Sequence, residues 1–327
     1  MRPAAEAAGV PAAPNRRRER PSPGLQATGA AVALLFAAPL AYLVVRNLRD
    51  PVFWGVVTSR AALVPLLKSV LLAGAVAGGA TVIGTAAAWF VARTDVPARR
   101  LWRVLLPLPL VIPSFIGAFV LLAAFAPGGL LEVALRPLGL QPGSLRGFWG
   151  SFTVLTLFTY PYVYLLAQAR FRQLPPSLEE SARLLGRGPL GTFFTVVVPQ
   201  ARSAILAGSL LVFLYTVSDF GVVQLLRYNT LTRSIYATRL FDRPASLALS
   251  LLLALLALGV VALERAVAGR RTVRSPRGTR PLEMRLGGWR PAAFAFLGGL
   301  VTLSLIVPVG VLAWWAVRGA ARGAPRT

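Results

Sequence analysis

Cysteine and histidine are both absent from the 327 residues. Their absence excludes disulfides, thiolate nucleophiles, imidazole metal ligands and histidine-based general catalysis. Lysine occurs once, as Lys68 preceded by Leu67, so the phosphate-binding G-x-x-x-x-G-K-[ST] loop cannot form. Acids are scarce too: 11 Asp and Glu stand against 35 Lys and Arg, a formal charge of +24. Any energy that drives this chain must come from another subunit or from an ion gradient.

What the chain has in abundance is apolar sequence. Hydrophobic residues make up 56% and charged residues only 14%, with a mean hydropathy of +0.65. So little charge over such a length marks a polytopic, all-α integral membrane protein. An isoelectric point near 11.9 raises nucleic acid as a partner. The arginines, however, are dealt out in small groups between apolar runs and form no single basic face. Lipid headgroups and topology account for that distribution, and no nucleic-acid partner is expected.

A helix needs about 20 mostly apolar residues to cross the bilayer. Seven such spans are predicted, at 27–45, 68–92, 104–126, 149–169, 203–223, 245–263 and 292–317. A secretory or twin-arginine signal is the rival reading of the first. Its apolar region is too long for one, Pro21 and Pro23 interrupt the approach, and no small-x-small cleavage site follows.

Alternate connections, starting with the N-terminal tail, carry 22 of the cations, and the opposite set carries 13. Arg and Lys collect in cytoplasmic loops, so the N-terminus is expected inside. Residues 1–26 read as a disordered basic tail and 27–264 as a six-span half with a polar loop at 175–200. Residues 265–291 read as a basic cytoplasmic linker, and 292–327 as a seventh span with a short tail. That arrangement suggests one complete six-span half plus the opening helix of a second; a true seven-span protein is the alternative.

The polar loop holds the most specific pattern. Glu180-Ser181-Ala182 is followed by three residues, Gly186, nine more residues, and then Val196-x-Val198-Pro199. Ser177 and Glu180 have the spacing of a capping box, and Pro175 and Pro176 separate the segment from span four. A short helix is expected to run to about Leu185, with Gly186 supplying the left-handed residue that ends it. A second amphipathic helix is expected from about Leu190, leading to Pro199 and span five. The pattern resembles the E-A-A-x3-G-x9-I-x-L-P loop of type I importer permeases of the ATP-binding-cassette class. The resemblance implies that Glu179, Glu180, Ser181, Ala182, Gly186, Val196, Val198 and Pro199 form a knob that docks on an ATPase subunit. Ser181 in place of alanine and the two valines in place of Ile and Leu are mild departures.

Further stretches resemble the ferric-iron-type permeases with two fused halves. They are Leu106-Pro107-Leu108-Pro109-Leu110-Val111-Ile112-Pro113-Ser114, Thr159-Tyr160-Pro161-Tyr162-Val163-Tyr164, and Ser218-Asp219-Phe220-Gly221. Thiamine-type and phosphonate-type relatives share much of this pattern. The prolines are expected to bend or interrupt span three, either as part of a solute path or as packing kinks. Tyr160 and Tyr162 are path candidates, although tyrosine is also favoured at membrane interfaces. Asp219 lies about 16 residues into span five, roughly 24 Å along it. It reads either as a path residue or as a helix-end acid paired with Arg227 or Arg233. Gly74 and Gly78 form a G-x-x-x-G step for close helix packing.

The resemblance implies a membrane permease for ferric iron delivered by an external solute-binding protein. An ATPase pair would hold ATP and Mg, and the permease would contain a second half, fused or separate. The permease itself would bind no cofactor or metal and catalyse no covalent chemistry. A thiamine- or phosphonate-type solute is the alternative within the class. A gradient-driven secondary transporter and a non-transporting remnant are the alternatives outside it.

Overall fold

Backbone amides inside a bilayer must be satisfied within their own segment, so long apolar runs have little option but to coil. The computed structural model describes residues 22–126, 129, 136–138, 145–267 and 284–322. Most of the expected N-terminal tail and most of the 265–291 linker lie outside the described residues. Among the described residues all regular structure is helical apart from one isolated bridge, Thr94 to Met284.

The helices are α1 (Pro23–Leu48), α2 (Phe53–Val57), α3 (Arg60–Arg93), α4 (Arg99–Leu105), α5 (Ser114–Phe125) and α6 (Gly147–Gln173). They continue as α7 (Pro176–Leu184), α8 (Val198–Ser218), α9 (Gly221–Leu225), α10 (Leu231–Thr238), α11 (Arg243–Val267), α12 (Arg290–Val301) and α13 (Val307–Arg322). The chain divides after Arg46, so α1 falls almost wholly in a unit of its own and the bundle in another. Among the described residues six helices are long and apolar enough to cross a membrane, and Arg99–Val111 with Ser114–Phe125, bent by 97°, makes a seventh if the pair is one span.

The bend follows from proline chemistry. Ile112 precedes Pro113 and is driven to extended geometry, φ −87° and ψ 117°. Pro113 then starts α5, and its carbonyl accepts the Ile116 and Gly117 amides. The expected interruption of span three is therefore present. Two span edges differ from expectation. Helix α3 begins at Arg60 and not at 68; Lys68 lies within it, with its ammonium 5.9 Å from the Tyr228 ring. The fifth span ends at Ser218, where Asp219 turns the chain with ψ 130°.

The core is built by α3, α6 and α8 packed on one another, α3 against α6 most extensively. Small residues set the approach, but not the expected pair. Gly74 and Gly78 are exposed, and a Cβ on either would meet nothing within 4 Å. The buried stripe is Ala80, Gly84 and Ala88, which begins further along the helix and on another face. A Cβ at Gly84 would come within 2.8 Å of the Tyr160 carbonyl, and one at Gly208 within 2.7 Å of Val163 Cα. Two helices thus meet α6 backbone on backbone at neighbouring turns.

Candidate functional site

Local chemistry shapes the 175–200 loop. Helix α7 starts at Pro176, where the missing N–H costs nothing. Ser177 consequently lies inside the helix, and its carbonyl accepts the Ser181 hydroxyl at 2.8 Å. It is not the capping residue that its spacing with Glu180 suggests. The other end matches expectation: Gly186 has φ +79°. The Arg187 N–H donates back to the Ala182 carbonyl at 3.1 Å, the closure of a Schellman motif. The stretch after it runs helically through Pro199 into span five, but its coil is not uniform. A single turn, Pro189–Thr192, passes into a π-helical turn, Phe193–Val197, and on into α8. The wide turn accommodates Pro199, which lacks an N–H and would crowd the preceding coil.

The candidate residues of the loop split between two faces. Glu179 and Ala182, three apart, point into the protein and are buried. Glu180, Ser181, Gly186 and Pro199 are exposed, and Val196 and Val198 are half-buried. Leu184 and Leu185, at 89% and 81% exposure, hold a large apolar area open beside them, with Phe194 close by in sequence and also exposed.

Glu179 is held by Arg93, the last residue of α3. Arg93 Nη2 lies 3.1 Å from Glu179 Oε1, with side-chain exposures of 1% and 3%. The same nitrogen donates to the Leu174 carbonyl at 3.2 Å, pinning the end of α6 as well. Arg93 is the main residue that sequence reasoning missed. It counted only as a loop cation, although an arginine closing an apolar run invites the question of which acid accompanies it.

Asp219 organises the opposite end. Its Oδ2 accepts the Ser114 hydroxyl at 2.7 Å, and its Oδ1 accepts the Val222 N–H at 2.9 Å. Thr232 donates to its carbonyl oxygen at 2.8 Å. Neither Arg227 nor Arg233 forms an ion pair with it among the described residues; Arg233 donates to Gln224 Oε1 at 3.2 Å instead. The carboxylate faces the first residue of α5 and the first turn of α9, where free amides and helix dipoles favour negative charge. Nearby, the Leu231 N–H donates to Ser69 at 2.9 Å, and the Gly147 N–H donates to the Leu226 carbonyl at 2.7 Å.

Of the remaining path candidates, Pro109 is buried in the broken span. Pro113 is exposed and adjoins Ser114, so it stands beside Asp219. The Tyr160 hydroxyl is fully buried and donates to the Leu106 carbonyl at 2.9 Å, satisfying an acceptor near the break. Tyr162 meets Tyr215 with ring centroids 6.0 Å apart, four residues before Asp219. The structure therefore groups Pro113 with Asp219 and separates both from the buried Tyr160.

By fold the chain aligns with a chain of a bacterial alginate ABC transporter, solved in complex with an alginate pentasaccharide-bound periplasmic protein. That alignment has a TM-score of 0.60 and 14% identity, and covers 77% of this chain and 96% of the other. Residues 80–273 match the family described as binding-protein-dependent transport system inner membrane component. The chain belongs to that family, whose members are membrane components of transport systems and not enzymes; it is a multi-pass inner-membrane protein.

Its relatives differ in their solutes. It is 30% identical over 260 residues to the Fe(3+)-transport system permease protein FbpB 2 of Haemophilus influenzae, covering 78% of this chain and 48% of that protein. The chain thus spans about half the length of that relative. It is 35% identical over 164 residues to the molybdenum transport system permease protein ModB of Azotobacter vinelandii, covering 49% and 71%. It is 31% identical over 230 residues to the sulfate transport system permease protein CysT of Salmonella typhimurium, covering 67% and 82%.

Proposed function

We propose that this chain is the permease component of an ATP-driven importer and that α7 is its coupling helix. One observation carries the reading: the E-S-A-x3-G-x9-V-x-V-P segment forms a closed helical knob with Glu179 and Ala182 anchored inward and Leu184 and Leu185 left bare. A rigid base with an apolar outer face suits a surface that must take up force from a moving ATPase. The partners are a pair of cytoplasmic ATP-binding subunits, which hold ATP and Mg, an external solute-binding protein, and a second permease half, fused or separate. The N-terminus and the α7 end of the bundle face the cytoplasm, as the excess of arginine on that set of connections supports.

The test of coupling uses Glu180→Ala and Gly186→Pro in the intact transport locus. Both abolish solute uptake while the amount of chain in the membrane stays unchanged. Normal uptake by a stably expressed Gly186→Pro protein would sink the coupling role.

Ferric iron is the proposed solute, because the match to the ferric permease covers more of this chain than the molybdenum or sulfate match. A tetrahedral oxyanion is the second reading, favoured by the molybdenum and sulfate relatives. Uptake of labelled ferric iron, molybdate and sulfate by cells with and without the locus decides between them. Loss of iron uptake alone supports the first, and loss of either oxyanion replaces it with the second.

A further inference from the structure

The last residue of α3 and the two that follow it tie together segments far apart in sequence. On one side, the Arg93 guanidinium holds Glu179 of α7 and the Leu174 carbonyl at the end of α6. On the other side, the backbone of the same residues pairs with the approach to the seventh membrane helix. The Met284 N–H donates to the Arg93 carbonyl at 2.8 Å, and the Asp95 N–H donates to the Met284 carbonyl at 3.1 Å. The Asp95 carboxylate adds two bonds, accepting the Leu286 N–H at 2.9 Å and the Arg290 guanidinium at 2.5 Å. Arg290 is the first residue of α12.

The turn before this segment repeats the division. Trp89 meets Phe193, at the start of the helix that follows the loop, with the rings tilted and centroids 5.0 Å apart. Its neighbour Phe90 meets Phe296 of α12 at 5.9 Å. Trp102 of α4 continues the contact against Phe294 at 5.4 Å. Side-chain ion pairs, a backbone bridge and two opposed aromatic contacts therefore converge on one short piece of chain.

We propose that Arg93, Thr94 and Asp95 form a rigid joint that makes α7 and the entry of the seventh membrane helix move as one body. Arg93 and Asp95 are its positioning residues. The joint gives the coupling helix of the proposed function a second output: a push on α7 reaches α12 through three residues at the end of α3. Its purpose rests on the coupling reading, but its existence does not.

The test is residue-resolved hydrogen exchange on the full chain in lipid nanodiscs, with no ATPase and no solute present. Asp95→Ala removes only an accessible carboxylate, and it raises exchange at 284–290. The joint requires exchange at 180–187 to rise with it, roughly fivefold or more, while 150–168 of α6 stays protected. Arg93→Lys keeps the charge but loses the forked geometry, and it loosens both segments in the same way. Asp95→Glu, which keeps the carboxylate, restores most of the protection in both.

An Asp95→Ala protein that loosens 284–290 and leaves 180–187 unchanged overturns the joint. So does a uniform rise across α6, which would mean general destabilisation, and so does a failure of Asp95→Glu to restore either segment. Because the assay contains no transport partner, a negative result leaves the coupling reading standing. A loss of the coupling reading in the uptake assay leaves the joint standing.

Discussion

The two ends of the bundle each hold a buried or half-buried acid, and they neutralise it by different means. At the α7 end, Glu179 is paired with a full cation, Arg93, at almost no exposure. At the far end, Asp219 has a hydroxyl and a helix amide as its partners. A charge pair out of water is costly to form and worse to break, because the partner left behind has nowhere to go. A carboxylate set against hydroxyls and amides leaves only neutral groups behind when it is removed. The α7 end is therefore the more brittle of the two, which suits a part that transmits force. The far end can be edited at lower cost.

That comparison can be broken by mutation. Arg93→Ala strands Glu179 and is expected to cost about 3–5 kcal/mol, read as a large drop in the tryptophan-fluorescence melting temperature of the detergent-solubilised chain. Arg93→Met combined with Glu179→Leu removes both charges and is expected to recover most of that loss, since apolar replacement of a whole buried pair is often neutral. Asp219→Ala is expected to cost less, roughly 1.5–3 kcal/mol. Equal losses at the two ends in the same melting assay would remove the contrast.

The smallest effect is a pH dependence outside the core. The Leu286 amide, followed by the Arg290 guanidinium, holds the Asp95 carboxyl below the ordinary carboxylate range. A lowered folded value means that the contact is at full strength above the ordinary range. It is lost only as pH falls through the lowered value. Exchange at Leu286, corrected for its intrinsic rate, is expected to stay flat from neutral pH down to about 4 and to rise below that. A rise that begins near neutrality would show that another group controls this contact.

Much of this architecture was legible in the residues. Apolar run length predicted helices at all seven positions, since a bilayer leaves the backbone few other choices. Gly186 was readable as a helix stop because its left-handed geometry favours glycine. The proline cluster announced the broken span, because the residue before a proline is forced out of helical geometry.

What escaped were pairings across the chain and the choice between equivalent local motifs. Arg93 and Leu174 are 81 residues apart, and no local pattern links them. Gly74 and Gly78 spell a packing motif as well as Ala80, Gly84 and Ala88 do; only the rotation of α3 decides which stripe faces α6. For Asp219 an arginine partner stood as one of two readings because nearby charge is visible in sequence, whereas the start of a helix that packs from elsewhere is not.

The exposure of the Asp95–Arg290 pair has a consequence for the medium in which the protein works. The two side chains are 18% and 51% exposed, so mobile ions reach them. Near physiological ionic strength the screening length is about 8 Å, and it shrinks to about 3 Å at 1 M salt. Arg93 and Glu179 lie beyond that reach, so concentrated salt acts on the joint through its Asp95 side, and the joint passes the loosening of the seventh helix on to α7. The ionic strength of the bathing solution thus becomes a reversible control over the joint, available without altering a residue.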